Sequence, residues 1–343
     1  MPGARVGERN AETMTNHAVL MNTIEGTYEL GDLPLGELAP NEVLVRSKAV
    51  GLCRSDIELL HGHLNEQLPV LQPIVPGHEW SGVVEAVGSE VTRLSPGDRG
   101  DGECVMADNH WFGFSAHGAA SELFTVEERL VHVFPESFGF QAAALIEPYT
   151  ISYNAIREIG DIAAGEGVAV IGAGMVGLAS AAIAAAKGAT VISIDPVAQR
   201  REVAARLGAQ HQAASADEAQ ALLAELGSGG ADLVIEASGH PLGIAATFEL
   251  ARFAGRIVNI GICGERSVSA PLHLIQAKNL RIQGVTGSTG IWPEAIDFMI
   301  SNNIDLTPVI TASYPLEQIA EAMEATEQGN IKVQLVLGEE ETA

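Results

Sequence analysis

Two textures divide the chain. From His17 to about Val133, short β-type runs such as Glu42 to Ala49, Gly82 to Val87 and Leu123 to Val126 are punctuated by Gly and Pro, which predicts a mostly-β unit. From about Gly165, apolar runs alternate with Ala-rich stretches of helical period: VAVIG, MVGLASAAIAAAKG, TVISID and VAQRREVAARLGA. Strand, helix, strand, helix is a βαβ pattern. DLVIEAS (232–238), GRIVNIG (255–261) and LRIQGV (280–285) extend it, with a helix near Gly243 to Phe253, to at least five candidate parallel strands. The expected class is α/β with a doubly wound parallel sheet. After Trp292-Pro293 come helices at Glu294 to Ser301 and Leu316 to Gln328 and a last strand, Lys332 to Leu337, whose periodicity does not say which unit it joins.

The strand VAVIG runs into Gly172-Ala173-Gly174-Met175-Val176-Gly177 and then a helix, the context that gives a G-x-G-x-x-G match its meaning. Gly172 permits the tight turn, Gly174 lets the backbone approach a pyrophosphate, and Gly177 allows close helix–strand packing. The helix amides, beginning at Met175 and Val176, face the anion. The next strand ends at Asp195, whose carboxylate suits the hydroxyls of an adenosine ribose and repels a 2′-phosphate, so NAD is expected over NADP. Arg200, a candidate cofactor contact, and Arg201 follow closely and leave NADP as the alternative reading.

At 343 residues the chain has room for two domains. Its 19 Lys and Arg against 44 Asp and Glu give a net charge of −25, which argues against a nucleic-acid partner. Cys53, Cys104 and Cys263 are odd in number and far apart, which favours a reducing, cytoplasmic setting over a disulfide framework. Residues 1–15 lack the apolar core of a signal peptide and are expected to be a disordered extension. The most apolar stretch, Val168 to Ala186, is interrupted by the glycine turn, so no membrane span is expected.

Two upstream segments concentrate unusual chemistry: GLCRSDIELLHG (51–62) and PGHEWSGVVEAVG (76–88). With Ile146-Glu147-Pro148, the glycine turn and Asp195 following in order, the chain from His17 to Val336 resembles the zinc-dependent medium-chain dehydrogenase/reductase family. The Glu-Pro at 147–148 resembles its sorbitol/polyol dehydrogenase branch. The resemblance implies a β-rich GroES-like catalytic domain, residues 16–150 and 293–343, around a Rossmann domain, residues 151–292. It also implies one catalytic Zn²⁺ among Cys53, His78, Glu79 and Glu147, a ligand mixture that suits zinc, with the two glutamates unranked. Asp56 would orient the histidine from behind.

The same resemblance gives Ser55 the role of taking the alcohol proton, while the histidine that continues the relay in much of the family is replaced by Glu58. Arg54 and Lys332 match positions that touch the cofactor pyrophosphate. Ser238, Gly261 and Ile262 match loops on the cofactor's two faces, and Gly287-Ser288 a loop near its carboxamide. The four clustered cysteines of a structural zinc are missing after Gly97-Asp98-Arg99, where Cys104 stands alone, so no structural zinc is expected. His61 and His63 read as surface histidines. The implied activity is reversible oxidation of a secondary alcohol of a polyol, sugar or cyclitol, by a homodimer or homotetramer. A zinc-free reductase and a non-catalytic nucleotide-binding relative are the other readings that fit the glycine turn.

Overall fold

The computed structural model describes residues 16–65, 68–106, 110–264 and 267–338. The expected N-terminal extension lies outside the described residues. Two sheets dominate. The first is mainly antiparallel and built on β3 (Glu42–Leu52), following a separate hairpin of β1 (His17–Asn22) and β2 (Thr27–Asp32). Strand β3 pairs with β4 (Glu79–Val87) on one side, and β4 continues to β5 (Arg99–Gly102) and β7 (Val131–Val133); β6 (Leu123–Glu127) also pairs with β3. The helix α1 (Arg54–Leu60) leaves directly from the end of β3.

After α2 (Phe140–Ala143) and α3 (Ile146–Glu158), the chain builds the second sheet from β8 (Gly167–Ile171), β9 (Thr190–Ile194), β10 (His211–Ala213), β11 (Ala231–Glu236), β12 (Ala251–Asn259) and β13 (Arg281–Gly284). All six are parallel in the order β10-β9-β8-β11-β12-β13. The order reverses between β8 and β11, which opens a crevice at their carboxyl ends. Helices α4 (Met175–Ala186), α5 (Ala198–Arg206), α6 (Ala216–Glu225), α7 (Pro241–Leu250) and α8 (His273–Ala277) supply the crossovers. Alternation along β8 sends Val168 and Val170 into one core and Ala169 and Ile171 into another, so both faces are covered.

Helix α9 (Trp292–Ser301) precedes β14 (Ile310–Pro315), α10 (Ile319–Glu327) and β15 (Lys332–Val336). The last strand answers the question its periodicity left open: β15 pairs with β3, Val333 opposite Leu52, in the antiparallel sheet. The expected divisions shift for packing reasons. Helix α3 runs unbroken through 150/151. Trp292, Ala295, Ile296 and Met299 bury the apolar face of α9 in the core of the parallel sheet, so the chain returns to the antiparallel sheet at β14 and not at 293. The helix expected to reach Phe253 stops at Leu250, because Ala251 turns extended (ψ 135°) and pairs with Ala231. Strand β10, three residues long, was below what alternation could reveal.

Candidate active site

The antiparallel pairing of β3 with β4 places Gly51 opposite Glu79. Cys53 follows the end of one strand and His78 precedes the start of the other, so residues some 25 apart in sequence meet. Cys53 Sγ, a ring nitrogen of His78 and a carboxylate oxygen of Glu79 lie within 4.8 Å of one another. Gly51 is required there: a Cβ would stand 2.2 Å from Glu79 Oε2. The first turn of α1 supports the cluster from below, since Asp56 Oδ2 accepts the Cys53 N–H at 2.8 Å. Asp56 Oδ1 faces His78 Nδ1 at 3.6 Å, and both atoms are buried without another partner.

Sulfur, imidazole and carboxylate are donors that zinc accepts together, and a carboxylate behind Nδ1 leaves Nε2 for a cation. The residues therefore fit the metal. Burial works against a charge on His78, yet the Asp56 carboxylate and the Cys53 sulfur outweigh it and hold its proton well above the usual imidazole range. The ring also packs on Phe114, centroids 4.8 Å apart. Ser55 Oγ lies 3.5 Å from His78 Nε2.

Lys332, expected at the pyrophosphate, lies against Glu79. Brought in by β15, its ammonium is buried and bonds to Leu52 O at 3.2 Å, Glu79 Oε1 at 2.8 Å and Oε2 at 2.6 Å. An ammonium has three N–H donors, and all are engaged. Burial alone would drive off its proton, but the Glu79 carboxylate and the Cys53 sulfur raise its proton affinity above that of ordinary lysine. Glu147, in the first turn of α3, is buried close enough to sense His78, Glu79, Lys332 and Asp56 and stands outside the three-residue cluster. Burial pushes its carboxyl up to about 7, with Glu79 adding to the effect and His78 opposing it.

The nucleotide side is built from backbone. Gly172 has φ +91°, and a Cβ on it would meet Ser238 N at 2.8 Å. A Cβ on Gly177 would fall 1.8 Å from Gly172 O, whereas one on Gly174 would meet nothing within 4 Å. That free space beside Gly174, under the unpaired amides of Met175 and Val176, is a cradle for a phosphate group. Asp195 locks the turn, its Oδ2 accepting from Ala173 N at 2.8 Å and its Oδ1 from Val197 N at 2.9 Å. Arg200 stands 3.8 Å from Asp195 Oδ2 and donates to Gly329 O at 2.7 Å. Arg54 is largely exposed and paired with Glu58 at 2.7 Å. Ile262 is exposed, and its backbone packs so closely that only a glycine fits at 239.

Two family models match the chain: an alcohol dehydrogenase GroES-like domain over residues 39–136 and a zinc-binding dehydrogenase domain over residues 175–301. The sorbitol dehydrogenase of Gallus gallus is 30% identical over 95% of this chain and 97% of its own, and that of Homo sapiens 31% over 90% and 93%. The D-xylulose reductase of Saccharomyces cerevisiae is 30% identical over 84% and 87%. This chain belongs to the zinc-dependent medium-chain dehydrogenases. Solved members share its fold: an alcohol dehydrogenase from E. coli CFT073 complexed with NADH has a TM-score of 0.84 at 27% identity, covering 94% of this chain and 99% of that one. A zinc-binding dehydrogenase from Sinorhizobium meliloti 1021 bound to NADP has a TM-score of 0.84 at 25% identity over the same shares.

In this dehydrogenase several residues matter that sequence reasoning passed over. Glu236, fully buried at the end of β11, accepts from Ser238 N at 2.9 Å, from the Ser238 hydroxyl and from Gly239 N at 3.1 Å, and so shapes the loop against the glycine turn. Asp101, opposite His132 in the sheet, is buried with neither oxygen bonded; burial and the nearby Glu147 hold its proton well above the carboxylate range. Thr150 donates to Glu147 O at 2.6 Å and lies 2.7 Å from the Ser288 hydroxyl, which ties the expected carboxamide loop to the helix bearing Glu147. None of these carries a spacing signal, because their partners are distant in sequence or are backbone atoms. Cys104 donates to Phe112 O at 3.3 Å, and burial pushes its thiol up to about 12, the opposite of a ligand thiolate. Among the described residues, Cys53, His78 and Glu79 are the group of three that could hold a metal.

Proposed function

We propose that this chain is an NAD-dependent dehydrogenase that oxidises a secondary alcohol of a polyol, sugar or cyclitol to the ketone, reversibly, with one zinc ion held by Cys53, His78 and Glu79. The observation that carries the reading is the cluster itself: a thiol, an imidazole and a carboxylate within 4.8 Å, braced by a buried aspartate. The substrate class is supported by the polyol-acting relatives and by Glu147, which the cluster's charges reach. A metal bound there would polarise the substrate hydroxyl and make its proton easier to remove.

The chain's own residues do the rest. Ser55 accepts the hydroxyl proton, Asp56 keeps His78 in one orientation, and Lys332 balances the charge on Glu79. Glu147, held near neutrality in its proton affinity, can give or take a proton beside the reacting oxygen. The nucleotide binds along the glycine turn with its ribose at Asp195, and Arg200's engagement with Gly329 leaves the anionic Asp195 to exclude a 2′-phosphate. Assembly as a homodimer or homotetramer would use β13, the edge strand whose outer backbone groups have no neighbour in the sheet. No helix among the described residues is long and apolar enough to cross a membrane; a cytoplasmic setting accords with the lack of disulfides among them.

The test is metal content of protein purified without chelator, paired with NAD and NADP reduction over a panel of polyols, cyclitols and simple alcohols. About one zinc per chain, with turnover lost on chelation, is expected. Metal-free protein that still binds NADH tightly would replace this reading with the zinc-free reductase. Asp195→Ala is expected to narrow the preference for NAD over NADP by about tenfold.

A further inference from the structure

Strands β9 and β11 lie on either side of β8, and each brings a buried carboxylate to the carboxyl end of the parallel sheet: Asp195 just after β9 and Glu236 as the last residue of β11. Both accept backbone N–H groups and brace a loop, yet they differ in charge balance. Asp195 has the Arg200 guanidinium at 3.8 Å. Glu236 is fully buried, and its partners among the described residues are neutral donors: Ser238 N at 2.9 Å, the Ser238 hydroxyl, and Gly239 N, 3.1 Å from Oε1 and 3.2 Å from Oε2. Ser238 Oγ in turn accepts from His240 N at 3.1 Å, so the Ser238 proton is committed to Glu236. A carboxyl group that only accepts is ionised. No cation among the described residues pairs with it.

Backbone closes round this charge. A Cβ on Gly261, in the loop after β12, would stand 2.6 Å from Glu236 Oε2, and one on Gly243 of α7 would stand 3.1 Å from Oε1. A charge in such low-dielectric surroundings is felt more strongly than one at the surface. Neutral hydrogen bonds make its burial tolerable without cancelling it. An unpaired buried ion lowers stability, and here it borders a ligand crevice.

A dinucleotide held at the glycine turn spans that crevice, with one half on each side of β8. With the adenosine ribose at Asp195, on the β9 side, the nicotinamide half falls on the side of β11 and β12, where Glu236 lies. The two redox forms of that half differ in charge: the oxidised ring is a pyridinium cation and the reduced ring is neutral. Adenosine and pyrophosphate are common to both.

We propose that Glu236 is a specificity-determining residue, whose buried charge makes the crevice favour the oxidised dinucleotide over the reduced one. The proposal rests on the nucleotide reading above and goes beyond it, since bracing a loop requires an acceptor but not a net charge. Attraction between carboxylate and pyridinium adds to the binding of one form and is missing for the other. By thermodynamic linkage the same factor weights the bound nucleotide toward its oxidised form.

The experiment is titration of the zinc-loaded protein with three ligands, NADH by fluorescence and NAD and ADP-ribose by calorimetry. Glu236→Gln keeps the size and an acceptor oxygen but not the charge, and the ratio of the NAD dissociation constant to that of NADH is expected to rise about tenfold. ADP-ribose, which has no ring, should change only as NADH does. Glu236→Asp keeps the charge and withdraws the brace, so all three ligands should weaken together with the ratio left near its wild-type value. Glu236→Ala loses both, and its ratio should rise as in Glu236→Gln on top of a general weakening; it serves as the neutral variant if glutamine prevents folding. An unchanged ratio in the folded neutral variants overturns the proposal, even if all three ligands weaken. So does a ratio that rises equally in Glu236→Asp. Wild-type protein that binds none of the three ligands overturns the nucleotide reading and the proposal with it, whereas binding of all three with a ratio indifferent to Glu236 overturns the proposal alone.

Discussion

The glycine turn after β8 and the metal cluster between β3 and β4 are ordered by opposite means. At the turn, function comes from atoms that are missing: a Cβ at Gly172 or Gly177 would strike backbone, and the lack of one at Gly174 leaves room for a ligand. At the cluster, function comes from atoms crowded together, with Glu79, Lys332, Asp56, His78 and Glu147 all buried within one sheet end and two helix starts. Steric exclusion is short-ranged and can be encoded by neighbours in the chain. Buried charges need compensating partners, and the fold supplies these from segments 23 to 280 residues away. The turn therefore tolerates almost no change of shape, and the cluster almost no change of charge.

Substitution can break that contrast. The largest effect is expected from Cys53→Ala, which removes the sulfur donor: turnover should fall to about a thousandth or less while NADH binding persists, measured by elemental analysis, steady-state rate and fluorescence titration. Unchanged turnover would remove the cluster from the chemistry. Next comes Lys332→Met, which leaves Glu79 as a buried uncompensated carboxylate; a loss of about 3–5 kcal/mol in urea unfolding of the metal-free protein is expected, partly recovered when Glu79→Gln is added. No loss would mean that Glu79 is neutral without its partner. Gly177→Ala should do the converse, lowering stability by about 1–3 kcal/mol through overpacking and abolishing NADH binding while zinc content stays at one per chain. Retained NADH affinity would show that the turn can move aside.

A change of pH sharpens the charge side of the comparison. Glu147 and Asp101 hold protons above the ordinary carboxylate range through burial, and His78 holds one above the imidazole range through Asp56 and Cys53 in spite of burial. The folded metal-free protein thus binds protons that the unfolded chain has released, so its stability falls as pH rises. For Glu147 the contribution is complete below about pH 4.5 and disappears as pH rises through about 7, a difference on the order of 3 kcal/mol. Thermal melting of the metal-free protein should accordingly drop between pH 5 and pH 8, whereas zinc-loaded protein should gain, because the ligands bind metal in their deprotonated forms. A rise in the metal-free melting temperature over that range would contradict the burial of these groups.

How much of this could be read from the chain follows the same division. The glycine turn, its strand and helix, and Asp195 were legible because each acts on neighbours or on the next strand, and a fixed spacing records that. Cys53, His78, Glu79 and Glu147 were legible only as a set of residue types resembling a family; nothing in their spacing says which of the two glutamates stands with the sulfur and the imidazole. Asp101 sits between two glycines with no periodic mark, and Glu236 looks like a strand end, so their burial was invisible.

By itself the sequence determined what is local: the succession of β-type and βαβ segments, the nucleotide turn, and the donor chemistry available to a metal. Side-chain period and backbone sterics act over a few residues, and they suffice for that. Only the tertiary structure decided that β15 closes on β3, that Lys332 therefore neutralises Glu79, and that Glu58 is joined to His63. Those outcomes depend on which buried charge finds which partner, and a charge takes the partner that the fold brings near, whatever its distance along the chain.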